Sequence, residues 1–224
     1  MHTDSPFWLE IAFGLTTALT LALFYWASRR NKTVLLVSLL WLAIQGFLTM
    51  LGVYQVDSMP PRFLLLVAPP IVLILVLLLT AKGKAILHSF DLKALHWVHV
   101  VRVPVEICLL FLYLSNLIPV EMTFESRNLD ILAGLTAPLV VLLYFHRKSI
   151  SKRMLILWNV VCILLLVNVV AHAAFALPFW FENFGFEQAN YAVLYSPYSW
   201  LPTFVVPVVF LSHFASIAQL RRSL

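Results

Sequence analysis

The sequence predicts an all-α, polytopic membrane protein with seven transmembrane helices, its N-terminus outside and its C-terminus cytoplasmic. Three observations predict it. Of the 224 residues, 62% are hydrophobic and only 11% charged, whereas roughly a quarter are charged in soluble domains; the mean hydropathy is +0.94. Apolar runs recur along the whole chain, most near the roughly 20 residues a helix needs to cross a hydrocarbon layer of about 30 Å. Lys and Arg, finally, gather in every second connection between runs. The lipid bilayer is thus the main partner, and residues 1–224 form one transmembrane domain.

The first run, residues 7–28, has Asp4 and Glu10 at its start and Arg29, Arg30 and Lys32 after it. A secretory signal carries the reverse flank, so this is an uncleaved helix entering from outside. Run two, 33–54, returns outward and ends at Val56-Asp57-Ser58-Met59-Pro60-Pro61-Arg62, a turn broken by two prolines. Run three, 63–81, lacks any ionisable group and contains Pro69-Pro70; it predicts a kinked helix facing mostly lipid. Lys82, Lys84 and Lys93 bracket residues 85–95, an amphipathic piece expected at the inner interface. Runs four, five and six cover 96–118, 129–145 and 154–177, and run seven covers 201–220 before Arg221-Arg222. The loop at 178–200 exceeds the usual limit of about 12–15 residues, so it predicts local structure or a role.

Threaded this way, the inner segments hold Arg29, Arg30, Lys32, Lys82, Lys84, Lys93, Arg147, Lys148, Lys152, Arg153, Arg221 and Arg222. Arg62 and Arg127 fall outside, and Arg102 lies within run four. That asymmetry fixes the predicted orientation and accounts for the net charge of +5 without a nucleic-acid partner. Trp180, Phe181, Phe184, Phe186, Tyr191, Tyr195, Tyr198 and Trp200 crowd the outer loop, with Trp8 and Tyr54 at other outer ends, as an interfacial aromatic belt requires. Cys108 and Cys162 sit inside apolar runs and read as small buried hydrophobes. No fixed-period repeat is visible, which disfavours an inverted-repeat transporter.

Polar chemistry concentrates in run four. At roughly 100° per residue, with His96 at zero, His99, Arg102, Glu106 and Tyr113 share a stripe about 60° wide. A mid-membrane Arg or acid costs about 2.5–3.5 kcal/mol on insertion scales, so the stripe must face protein or a water-filled cavity. Pro104 withdraws the amide that would serve the Val100 carbonyl, predicting a kink there. Arg102 and Glu106, four apart, would neutralise each other on the plainest reading. Arg-before-Glu is the weaker order for such a pair, however, and leaves room for partners from other helices. Gln45 with Thr49, Asn168 with His172, and His213 are the available ones. Two polar layers are expected, an inner one at His96, His99, Arg102 and His213 and an outer one at Glu10 and His172.

His96, His99 and His213 are also the candidate donors for a metal ion or a haem, although no His-Glu-x-x-His, Cys-x-x-Cys or His-x-x-x-His spacing is present. Between runs four and five, Thr123, Ser126 or Asn128 is expected to cap the next helix. Glu121, Glu125 and Asp130 would form an outer cation mouth on a functional reading. Ala133-Gly134 with Ala137-Pro138 gives a small-residue face for close helix packing. Run seven lacks the Lys that a retinal Schiff base requires, and no phosphate-binding Gly-rich loop occurs.

The combination Pro119…Met122-Thr123-Phe124…Asp130-Ile131…Gly134-Leu135-Thr136-Ala137-Pro138 resembles an uncharacterised family of bacterial multi-spanning inner-membrane proteins. The resemblance covers runs four and five and implies the bacterial inner membrane; it carries no activity. From the residues themselves, the first expectation is binding or transport of a small polar, anionic or protonatable ligand in a cavity on helix four. His99, Arg102, Glu106, Tyr113, Gln45, Asn168, His172 and His213 would line it. The alternatives are a haem- or metal-dependent membrane redox protein or enzyme, and a partner subunit engaged through the 178–200 loop.

Overall fold

The computed structural model describes residues 5–56 and 61–222 and is helical throughout, with no strand among them. Five helices are long and apolar enough to cross a membrane: 7–27, 32–50, 92–114, 152–175 and 201–222. A sixth candidate is a pair bent by 94°, Leu64–Leu79 with Ala81–Ser89, and a shorter apolar helix runs over Ile131–His146. The turn at Asp57–Pro60 lies outside the described residues.

Helix α1 (Phe7–Ala27) keeps its polar groups satisfied internally: the Thr16, Thr17 and Thr20 hydroxyls donate to the carbonyls of Ala12, Phe13 and Thr16. Asn31 caps α2 (Lys32–Met50) by accepting from the Thr33 and Val34 amides. Helix α3 (Leu64–Leu79) carries Pro69 and Pro70 inside it, yet the sharp bend falls at Thr80, before α4 (Ala81–Ser89). Thr80 accepts from the Gly83 amide, and a Cβ on Gly83 would overlap the backbone of Leu77. The bend therefore needs glycine there. Only Leu66 and Pro70 of α3 are buried, in keeping with an outward-facing helix.

The piece expected at 85–95 divides. Asp91 accepts from the Ala94 amide at 2.7 Å, and this cap starts a new helix at α5 (Leu92–Val98), four residues before run four was expected to begin. A 3₁₀ turn at His99–Val101 joins α5 to α6 (Arg102–Leu114). Pro104 supplies the reason, since it has no amide for Val100 and the helix tightens ahead of it. Helix α7 (Ile131–Val141) runs into a π turn at Leu142–His146. Helix α8 spans Lys152–Phe175, and a π turn at Leu201–Val205 leads into α9 (Val206–Arg222). Pro207 denies a donor to the Thr203 carbonyl; Trp41 Nε1 on α2 donates to it instead, at 3.0 Å.

The 178–200 segment is structured, with 3₁₀ turns at Phe181–Phe184 and Ala192–Leu194. It is tied to the bundle where the Tyr191 and Ala192 amides reach the Leu117 carbonyl and the Asn190 amide reaches that of Ala176. Burial locates the centre of the bundle. The 201–222 helix is 61% buried and 92–114 is 50% buried, against 28–33% for the other long spans. The two spans holding Arg102 and His213 are therefore the core, and the rest face outward with Leu36, Leu40, Phe47 and Leu164 exposed.

Candidate functional site

Arg102, at the first turn of α6, is 2% exposed. Its Nη1 donates to Asp130 Oδ1 at 2.8 Å and to the Cys162 carbonyl at 3.4 Å, and its Nη2 donates to His213 Nε2 at 2.8 Å. The partner of Arg102 is thus Asp130, not Glu106. Glu106 instead accepts at Oε2 from Asn128 Nδ2, at 2.6 Å. Asn128 also donates to the Met122 carbonyl and accepts from the Asp130 amide. It holds the two carboxyl groups in place at once.

This geometry overturns the outer cation mouth for Asp130. Arg102 lies twelve residues, about 18 Å, from the Leu114 end of its helix, and Glu106 about 12 Å. For Asn128 and Asp130 to reach them, the connection after α6 must fold back into the bundle. Its buried Thr123, Asn128 and Asp130 do this. Close packing then brings α7 against the same turn: a Cβ on Gly134 would come within 2.8 Å of Val103 Cγ2 and 3.0 Å of its amide nitrogen. The small-residue face expected at Ala133, Gly134 and Ala137 is buried there.

From Arg102 a second arm runs through imidazoles. Guanidinium can only donate, so His213 Nε2 accepts and its Nδ1 carries the proton. That Nδ1 donates to Asn159 Oδ1 at 2.8 Å. Asn159 Nδ2 then donates to His96 Nε2 at 3.2 Å and to the Leu155 carbonyl at 2.9 Å. His96 Nδ1 is left to donate to the Leu92 carbonyl at 2.7 Å. One permanent cation therefore sets both tautomers and the amide orientation along the series Asp130–Arg102–His213–Asn159–His96.

His99 is the exception. Its ring stacks on His213, centroids 3.8 Å apart and planes 15° apart, and meets Trp158 at 5.5 Å. It is fully buried, and neither ring nitrogen has a partner. The donor set does not suit a metal or a haem: both nitrogens of His96 and His213 are already engaged, and stacked rings cannot aim lone pairs at one point. Among the described residues, no group of three His, Cys, Asp or Glu side chains is placed to hold a metal ion.

The other expected residues lie apart. Gln45 accepts from the Tyr54 hydroxyl at 2.6 Å and, with Thr49 and Ser199, forms a separate buried knot between α2 and the 195–200 segment; burial pushes the Tyr54 hydroxyl pKa up. Asn168 donates to the Arg127 carbonyl. His172 donates back to the Asn168 carbonyl and lies near Phe186, while Glu10 accepts from Ser5. No bond joins Glu10 to His172 among the described residues, so the outer layer is not assembled. Tyr113 is half-buried against the apolar core.

A cavity of about 290 Å³ adjoins the carboxyl arm, walled by α3, α6, α8 and α9. Val67, Ile71, Leu109, Leu166, Val170 and Phe210 make most of its wall apolar; Glu106, Asp130 and Asn190 are the polar members. Asn190 is 1% exposed, gives its Nδ2 to the Ala173 carbonyl, and leaves Oδ1 without a partner. Asn128, Asp130, Asn159 and Asn190 are the site residues that sequence reasoning did not assign to it. Asn159 carried a signal, as an amide inside an apolar run.

Residues 59–221 match the family model described as a domain of unknown function, DUF8737. The chain belongs to this family. The match covers every element of the site, from the α3 wall of the cavity to His213. No curated protein and no solved structure matches the chain.

Proposed function

We propose that this DUF8737 protein is a bacterial inner-membrane protein that binds or transports a small protonatable ligand with an apolar body, in the cavity beside Glu106. The observation carrying this reading is the contrast between the two charged groups. Arg102 has its Nη donors committed to Asp130, Cys162 and His213. Glu106 lines an apolar cavity with Asn128 as its hydrogen-bond partner. A ligand entering there meets acceptors: the Glu106 carboxyl, Asp130 and the unpartnered Asn190 Oδ1. An amine is recognised by such a set; an anion meets no cation, since Arg102 does not line the cavity. The volume is at the lower end of the roughly 300–1,000 Å³ of ligand pockets.

The proposed topology has seven spans, N-terminus out. The bent α3–α4 pair counts as one. Ile131–His146 counts as another, although its 11 α and 5 π residues reach only about 24 Å at 1.5 Å per residue. Its N-terminus begins at the level of Arg102, and the folded-back connection fills the remaining depth. The distribution of Lys and Arg supports the orientation.

The test uses two probes of equal body and opposite charge, 2-phenylethylamine and phenylacetate, titrated calorimetrically into protein in mild detergent at pH 7. The amine is expected to bind and phenylacetate not to. Glu106→Gln keeps an oxygen for Asn128 and should weaken the amine at least about tenfold, since a charge-assisted hydrogen bond is lost. Preferential binding of phenylacetate, or unchanged amine binding in Glu106→Gln, refutes the reading.

A further inference from the structure

A second cleft, of about 360 Å³, separates α2 from α3, with α9 as its floor and Phe24 of α1 at one end. Val37, Trp41 and Ile44 form one wall, Pro70 and Leu73 the other, and Phe204 and Leu211 contribute to the floor. It touches none of the residues of the Arg102–His96 series.

Charge marks one end of it. The α2 wall begins at Val37, five residues or about 7.5 Å from Lys32. Phe24 is as far from Arg29, and beyond the α3 wall, which ends at Ile74, the helix continues to Leu79 and the 94° bend that leads to Lys82 and Lys84 on α4. All five basic residues are exposed, so both walls of an apolar slot end in cations on the same side. Among the described residues, none of these five cations has a salt bridge. The acid tied to this end is Asp91, whose amide donates to the Ala27 carbonyl and whose carboxylate is used in capping α5. Arg29 and Arg30 hold a left-handed backbone, φ 56° and 60°, which non-glycine residues adopt at a cost.

We propose that this cleft binds one anionic phospholipid, an acyl chain lying between α2 and α3 and the phosphate held by Arg29, Arg30, Lys32, Lys82 and Lys84. An apolar slot alone would take any lipid; the paired basic ends select an anionic headgroup. Each Lys or Arg beside an anionic lipid contributes about fivefold in affinity.

The experiment is native mass spectrometry of the full chain in mild detergent, titrated with phosphatidylglycerol, with phosphatidylcholine of the same acyl chains, and with glycerol 3-phosphate as a bare headgroup. One phosphatidylglycerol per chain is expected at concentrations where phosphatidylcholine and glycerol 3-phosphate leave the protein unoccupied. Arg29→Asn/Arg30→Asn/Lys32→Gln, in which Asn tolerates the left-handed backbone, should weaken phosphatidylglycerol by about 100-fold at low salt. Lys82→Gln/Lys84→Gln should weaken it by about 25-fold, testing the other wall by itself. Ile44→Trp, at a side chain 51% exposed, fills the slot and should abolish binding with all the cations in place. Equal binding of the two lipids to the wild type overturns the proposal. So does undiminished preference in both charge variants, full binding by Ile44→Trp, or equal competition by glycerol 3-phosphate.

Discussion

Replacing His99 by Phe should change the protein's stability little, whereas replacing His213 by Phe should damage it severely. The two rings stack in one buried pair, and only their hydrogen bonds differ. His99 makes none. A buried polar atom without a partner costs about 1–3 kcal/mol. A phenyl ring in place of the His99 imidazole would remove both nitrogens and keep the stack, against an overpacking cost of about 1–3 kcal/mol for the larger ring. The two ranges offset each other, so the net effect should lie within about 2 kcal/mol of zero.

His213→Phe strips Arg102 Nη2 of its acceptor and Asn159 Oδ1 of its donor. Breaking a buried charged contact from one side costs about 3–5 kcal/mol. Hydrogen bonds between membrane helices average lower, about 0.6 kcal/mol, because the unfolded chain finds other partners in the bilayer. The lower figure, about 3 kcal/mol, is therefore the expectation. Equilibrium unfolding in mixed dodecyl maltoside and dodecyl sulfate micelles measures both variants, and the Trp158 ring, 5.5 Å from His99 and 5.8 Å from His213, gives a local fluorescence signal. Equal destabilisation by the two variants would refute the argument, because it would place a hydrogen-bonding partner on His99.

Arg102→Met and Asp130→Asn should each cost about 3 kcal/mol, while the double variant costs less than their sum by at least about 2 kcal/mol, as expected when each single change strands the other member; the same unfolding assay yields the cycle. Gly134→Ala drives a methyl into Val103 and should lower stability by about 1–3 kcal/mol, and Arg102→Met should remove part of that penalty if the two contacts share one turn. Gly83→Ala should cost as much or more, since the obstructing atoms are the Leu77 backbone, and limited proteolysis between α3 and α4 should detect the opened bend.

The helices were legible because lipid-facing helices announce themselves by composition: five of the predicted runs recur as long apolar helices, with boundaries shifted by a few residues. Run four moved most, since Asp91 is a local capping signal, set between Phe90 and Leu92, that periodicity does not reveal. Arg102 and His213 were legible as members of a shared site because a charge inside an apolar run must find a partner. Which partner it finds was not. The i, i+4 spacing pointed to Glu106, but the folded-back connection brings Asp130 to within 2.8 Å, and no periodicity argument contains that fold-back. Gln45 and His172 misled for the same reason. A polar group in a membrane helix can be satisfied by its own helix or by a nearby loop, and Tyr54 and the Asn168 carbonyl do so here.

The fold-back also explains why one asparagine matters so much. Glu106 and Asp130 both line the cavity, and the one buried guanidinium beside them, Arg102, is bonded to Asp130. Asn128 gives its amide hydrogens to Glu106 and Met122 and takes the Asp130 amide on its oxygen, so it fixes Glu106 without neutralising it. On the proposed reading, a protonated ligand brings positive charge to Glu106. On this logic Asn128→Asp, which replaces a donor by a second acceptor facing Glu106, should abolish amine binding even though it adds negative charge to the site. It would do so because Glu106 could then be held only by taking up a proton to share with the introduced carboxylate. If calorimetry instead showed tighter amine binding in that variant, bulk charge and not the orientation of Glu106 would be the basis of recognition.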